Sequence, residues 1–288
     1  MLEEVLQLAA NGLMAGAVLA VPAIGFTTVF AVLRFANFAI AAHMAVGAFA
    51  GYVMNAWLGL PAWAAVAGAF AAAAVVGIAS DHLALRPLRS YSALTVAIAS
   101  IALNLMLENI IRFSFGNAPR NYAIPLVRDW TVGPIRVGPQ QLENAVIAVV
   151  AMGILFLFLS LTSTGKAMRA VADNPTLADI KGIDPDRMAR FATAIGMGLG
   201  GIGGMLIGLD TSIDPLLGFR AILSVFAAAV VGGLGSIPGA VVGGLAIGLA
   251  EELSLVVFPA TYRAAVGFLA ILLVLTFRPR GLLGTRGS

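Results

Sequence analysis

No cysteine occurs anywhere in this 288-residue chain, and only 11% of its residues are charged. The first absence excludes disulfides, thiol chemistry and cysteine-ligated metals, without fixing a compartment. The second excludes an ordinary soluble domain, which carries about twice that charge fraction. Only two histidines are present, His43 and His82, too far apart in sequence to suggest a paired metal site. A clustered nucleophile or acid–base set is also missing, which argues against a membrane enzyme. The dyad alternation of a closed β-barrel is absent as well. Basic residues sit at the ends of apolar runs rather than in one solvent patch. The net charge of +3 therefore speaks for membrane topology and against nucleic acid. The opening MLEEVLQLAA puts two acids where a cleavable signal peptide would be basic, so this segment is expected to stay.

What the chain has is hydrophobicity: 60% of its residues, in continuous runs such as Ala62–Ala79 and Ala145–Leu161. A bilayer span needs about twenty apolar residues in a helix. The expected fold is an all-α polytopic integral membrane protein, one domain over residues 1–288, with roughly eight to ten transmembrane helices. Candidate spans are 5–31, 37–56, 62–83, 93–115, 144–162, 190–209, 220–235, 239–257 and 262–278. The first is long enough to hold a kink at Pro22 or an interfacial half-helix. Gly235–Pro238 either joins two spans by a tight turn or breaks one long helix. Charge favours two. With Ser163–Arg190 inside and strict alternation, Arg34, Arg86, Arg89, Lys166, Arg169, Lys181, Arg187, Arg190, Arg278, Arg280 and Arg286 all fall inside, eleven of the seventeen basic residues. A single span there would put the Arg278/Arg280 tail outside. The longest external connection, Gly116–Glu143, holds Pro119, Pro125, Pro134 and Pro139, with room for a hairpin at TVGPIRVG.

The one long charged segment is Ser163–Arg190. Ser163 or Thr164 can N-cap a first helix, Gly165–Asp173, with Lys166 and Arg169 on one face. Asp173 or Asn174 can cap a second, Pro175–Lys181, with Pro175 in its first turn and Gly182 as a left-handed stop. A turn, Ile183-Asp184-Pro185-Asp186, follows. Two caps on so short a helix suit a docking surface better than a plain polar loop.

Gly196, Gly200, Gly204 and Gly208 recur every four residues and form a smooth ridge for close helix packing; Gly235, Gly239 and Gly243 read the same way. The formal G-x-G-x-x-G matches inside the first set lack the preceding strand of a dinucleotide site. Thr164-Gly165-Lys166-Ala167 is no phosphate loop, so ATP, if used, is hydrolysed by another chain. Glu108 and Arg112, four residues apart, can pair within the membrane, either as a structural ion pair or as part of a substrate path. Asn37, His43 and Asn104 are further candidates for that path, with His43 on an internal polar face. A secondary carrier would need coupling acids near the midplane, and no buried acid pair is evident.

Four stretches also resemble a known family, the LivH-type membrane subunits of bacterial ATP-binding-cassette importers for branched-chain amino acids. They are Arg86-Pro87-Leu88-Arg89 with Ala99-Ser100-Ile101-Ala102-Leu103; Thr164 to Asn174 with Ile180-Lys181-Gly182-Ile183; Ala227 to Ala240; and Phe277-Arg278-Pro279-Arg280-Gly281-Leu282. The resemblance covers nearly the whole length. It implies a cytoplasmic coupling helix seated in a groove of an ATPase, involving Lys166, Arg169, Asn174, Pro175, Ala178, Gly182 and Ile183, with Ala178 and Gly182 at the family's small-residue positions. It also implies a second homologous, LivM-like permease subunit, two ATP-binding subunits that carry ATP and Mg, a periplasmic substrate-binding protein, and residence in the bacterial inner membrane. No cofactor is expected in this chain itself. Family members commonly continue Asn-Phe-Ala with His-Gly-Glu. Here Asn37-Phe38-Ala39 runs into Ile40-Ala41-Ala42-His43-Met44, which leaves amide, amino-acid and aromatic-acid substrates open.

Overall fold

A computed structural model describes residues 2–124, 128–132 and 135–284. Pro125, Pro134 and Arg286 lie outside the described residues. Eleven α-helices follow in order: α1 (Leu2–Leu33), α2 (Ile40–Tyr52), α3 (Ala62–Ser80), α4 (Ala93–Phe115), α5 (Pro139–Leu161), α6 (Ser163–Asp173), α7 (Pro175–Ile180), α8 (Pro185–Asp210), α9 (Leu217–Gly232), α10 (Ile237–Leu253) and α11 (Arg263–Phe277). Each of the nine apolar segments contains a helix. Six are long and apolar enough to cross a membrane; α9 and α11 are shorter apolar helices. Helix α1 is one uninterrupted helix through Pro22, with neither a break nor a separate half-helix.

The stretch 220–257 is two helices. Helix α9 stops at Gly232, the chain turns with Gly233 and Gly235 at positive φ, and Ser236 Oγ accepts from the Gly239 amide to cap α10. A β-carbon on Gly243 would overlap the Ala228 carbonyl, and one on Gly232 the Gly239 carbonyl. The two helices therefore pack antiparallel, backbone on backbone, as small residues permit without a hydrophobic drive. The expected hairpin also forms: β1 (Trp130–Val132) pairs antiparallel with β2 (Ile135–Val137). Its position is fixed by Gln7 of α1, whose side chain bonds both the Arg136 carbonyl and amide.

Helix α8 is the axis of the bundle. Gly196 meets Gly25 and Val29 of α1, Gly200 meets Ile40 of α2, Gly204 lies on the Met44 backbone of α2, and Gly208 faces Ile213. Gly198 and Gly201 approach Phe70, Ala69 and Ala73 of α3, and Gly203 approaches Pro22 of α1. The glycines thus serve three neighbouring helices from different sides rather than one ridge.

Among the described residues, the helices α1–α5 and α8–α11 alternate direction and leave two chemically different ends. Among the described residues, the end carrying α6 and α7 holds ten basic and five acidic side chains, and the other holds six basic and nine acidic. The basic end is where α1 finishes, where Arg86 pairs with Asp186 at 2.6 Å, and where Leu282 and Leu283 donate to the Val231 and Gly232 carbonyls.

Candidate functional site

Two regions have the geometry of a site: the charged segment at the basic end, and a helix break at mid-depth. In the first, the expected boundaries shift. Helix α6 begins at Ser163 and its cap is Thr162, whose Oγ1 accepts from the Gly165 amide at 2.9 Å, one residue before Ser163 and two before Thr164, the expected caps. Gly165 must be small, because a β-carbon there would overlap the Phe158 carbonyl of α5. Met168 and Val171 are buried against the bundle, so α6 lies on the end of α5 with one face down. Arg34, at φ 59°, reaches across to the Ala172 carbonyl and satisfies part of the α6 C-terminus.

Helix α7 spans Pro175–Ile180, one residue shorter than expected. Asn174 Oδ1 accepts from the Leu177 amide at 2.9 Å. Gly182 sits at φ 84°, and the Ile183 amide returns to the Ala178 carbonyl at 2.9 Å. The expected turn at 183–186 is instead the start of α8: Asp184 Oδ1 accepts from the Asp186 and Arg187 amides, and Pro185 opens the helix. Ala178 points inward and is buried, whereas Leu177 and Ile180 are 53% and 76% exposed. Sequence reading missed these two, although their spacing of three on a short helix between caps was the available signal. Lys166 and Arg169 line a cavity of about 640 Å³ between α6, α5 and the Gly235–Pro238 turn.

At mid-depth, the predicted span 37–56 starts late. Residues 34–39 are not helical, and α2 begins at Ile40 beside Gly200 of α8. That glycine lies fifteen residues into α8, about 22 Å from its start at 1.5 Å per residue. Non-helical backbone at such depth needs protein partners. Ser100 Oγ of α4 accepts from the Phe38 amide at 3.0 Å, and Asn37 Oδ1 accepts from the Ala39 amide at 3.1 Å. Phe38 packs on Phe26 and Phe226, with ring centroids 6.2 and 5.7 Å away.

The four residues proposed from sequence for a path are not brought together. Asn37 is spent on the start of α2. His43 is enclosed, its Nδ1 2.7 Å from the Ala39 carbonyl and its Nε2 3.4 Å from Ser80 Oγ, and it lines none of the cavities described here. Glu108 pairs with Arg112 at 2.5 Å. Asn104 alone borders open space, a depression of about 180 Å³ with Phe38, Ala41, Ile101, Phe219 and Ile222. At the acidic end, Glu251 accepts from Ser224 Oγ at 2.6 Å and Glu252 pairs with Arg263, beside a cavity of about 680 Å³. Tyr122 in the external connection donates to the Ala48 carbonyl at 2.7 Å, and burial pushes its phenol well above its ordinary pKa, so it remains a neutral donor.

Comparison with known proteins is decisive at this point. The family described as "Branched-chain amino acid transport system / permease component" matches residues 8–277. The chain belongs to that family. It is 32% identical to the high-affinity branched-chain amino acid transport system permease protein LivH of Escherichia coli (strain K12), over 95% of this chain and 94% of that protein. The corresponding permease protein BraD of Pseudomonas aeruginosa is also 32% identical, over 97% and 95%. A probable branched-chain amino acid transport permease protein LivH of Methanocaldococcus jannaschii is 30% identical over 80% and 75%. This permease is a multi-pass membrane protein, and the helix-rich fold fits that membership throughout.

Proposed function

We propose that this chain is the membrane permease subunit of an ATP-binding-cassette importer, moving branched-chain or related amino acids from periplasm to cytoplasm across a bacterial inner membrane. It works with a second homologous, LivM-like permease subunit, two ATP-binding subunits that hold ATP and Mg, and a periplasmic substrate-binding protein. The excess of basic side chains at one end supports placing that end in the cytoplasm.

The observation that carries the reading is α7, a six-residue helix capped at both ends that presents Leu177 and Ile180 to solvent at the basic end. An apolar pair on a rigid, backbone-pinned peg is suited to a groove on a partner. Asn174, Pro175, Ala178, Gly182 and Ile183 hold that peg, and Lys166 and Arg169 on the neighbouring α6 add basic charge to the same docking surface. ATP-driven closure of the partner subunits pulls on α7, and the pull passes through Asp184 directly into α8. Glycine contacts at Gly196, Gly200, Gly204 and Gly208, and between α9 and α10 at Gly232, Gly239 and Gly243, let helices slide with little side-chain re-interdigitation; Gly235, expected to pack with them, instead has no close neighbour and serves the turn at φ 90°. Alternating access follows from that sliding.

The test is reconstitution of the assembled complex with its binding protein. Leucine uptake and ATPase activity should rise together with added binding protein. Solute uptake by this chain without an ATPase would contradict the reading.

A further inference from the structure

The cavity of about 640 Å³ at the basic end joins two kinds of wall. One is apolar: Val32 in the last turn of α1, Phe156 of α5 and Ile237 at the start of α10. The other is α6, which contributes Lys166 and Arg169, three residues apart on one helix face. Both are exposed, and among the described residues neither forms an ion pair. Asp173 also lines the cavity and pairs with neither. Its charge is offset by Arg34, which reaches the Ala172 carbonyl on the same wall.

The cavity adjoins the outward side of α5. Val149, Val150, Ile154, Leu157 and Leu161 of that helix are all more than half exposed, a stripe that lies against acyl chains in a bilayer. Phe156 and Ser160, next to Leu157 and Leu161, carry the rim of the cavity onto that side. The basic pair therefore stands where α5 ends and hydrocarbon gives way to headgroups. A soluble anion would use the charges and leave the apolar wall wet. An anionic lipid uses both.

We propose that this cavity holds one anionic phospholipid of the cytoplasmic leaflet. Its phosphate accepts hydrogen bonds from the Lys166 ammonium and the Arg169 guanidinium, and an acyl chain runs over Val32, Phe156 and Ile237 onto the α5 stripe. The pair has more N–H donors than one phosphate can engage, so it serves the docking surface as well. Asn174 both ends α6 and caps α7, so the lipid bears on the docking helix through one residue. The inference goes beyond import and takes from that reading only the cytoplasmic placement of this end.

The test places the purified full-length chain in nanodiscs of phosphatidylcholine, with and without phosphatidylglycerol. Ser160→Cys puts a single thiol at the rim of the cavity on this cysteine-free chain, and Thr176→Cys puts one on α7, outside it. An uncharged maleimide reads both, and the second reports any general effect of surface charge. Phosphatidylglycerol should slow modification of Ser160→Cys several-fold relative to Thr176→Cys. Adding Lys166→Gln with Arg169→Gln should abolish that protection, and because both residues are exposed the exchange leaves the fold intact. Equal relative rates in the two bilayers, or protection that survives the double exchange, overturns the proposal. So does equal protection by inorganic phosphate in phosphatidylcholine alone, which would mark a free-anion site. No transport step enters the measurement, so its failure leaves the import reading standing.

Discussion

The amide of Ile183 donates to the carbonyl oxygen of Ala178 at 2.9 Å, closing the chain over Gly182 at φ 84°. This return fixes α7 relative to Asp184, the residue that caps α8. Two elements that separate subunits would act on are thus joined by one hydrogen bond and one left-handed residue. Replacing Gly182 with valine should strain that link by about 1–2 kcal/mol or more, because a β-branched residue disfavours the left-handed region. No atom lies near the added side chain, so the effect is conformational. The expected result is a protein that inserts normally but loses uptake and ATPase stimulation together, read by immunoblot of membranes and by transport assay.

Leu177 and Ile180 are exposed, so changing them should leave the fold intact. Leu177→Asp with Ile180→Asp is expected to abolish co-purification of the ATP-binding subunits, while the pairing of permease subunits survives. Surface substitutions away from structural features usually stay within about 0.5 kcal/mol, so an unchanged melting temperature of the isolated permease is part of the outcome.

Glycines around α8 should differ sharply from those on the periphery. A β-carbon on Gly204 would overlap the Met44 carbonyl, whereas one on Gly153 of α5 meets nothing within 4 Å. Gly204→Val should destabilise by about 1–3 kcal/mol or more, as overpacking does. Gly153→Val should not measurably destabilise. Thermal unfolding in detergent, followed by size-exclusion recovery, compares the two directly.

Glu108 and Arg112 separate a structural ion pair from a substrate ligand. The Glu108 side chain is nearly enclosed, while that of Arg112 retains 34% exposure. Removing Glu108 alone should therefore cost less than the about 3–5 kcal/mol of a fully buried pair. Glu108→Leu with Arg112→Leu should recover both stability and uptake if the pair is structural. Recovered stability with uptake still absent would assign Glu108 to the substrate path.

Much of the fold was legible because the bilayer allows few solutions. Apolar length located every long helix, and the turn between α9 and α10 announced itself through Gly235, Ser236 and Pro238 together with the charge parity of the C-terminal tail. Asn174 and Gly182 marked α7 because capping is local chemistry. The start of α2 was not legible: residues 37–39 read as part of an apolar span, and their non-helical path depends on Ser100, a partner 62 positions away from Phe38. The role of α8 as an axis escaped for a similar reason. Its glycines repeat every four residues in sequence, yet which neighbour each one meets is decided by α1, α2 and α3. His43 read as a polar lining residue, but Ala39 and Ser80 satisfy both its nitrogens.

The lack of cysteine makes the central test direct. Ile180→Cys places one thiol on α7, and a membrane-impermeant maleimide then reports where that helix lies and what covers it. Labelling should occur in inverted vesicles and not in intact spheroplasts, and assembly with the ATP-binding subunits should block it. Labelling from the outer face, or labelling indifferent to those subunits, would contradict the assignment of α7 as the element that receives the power stroke.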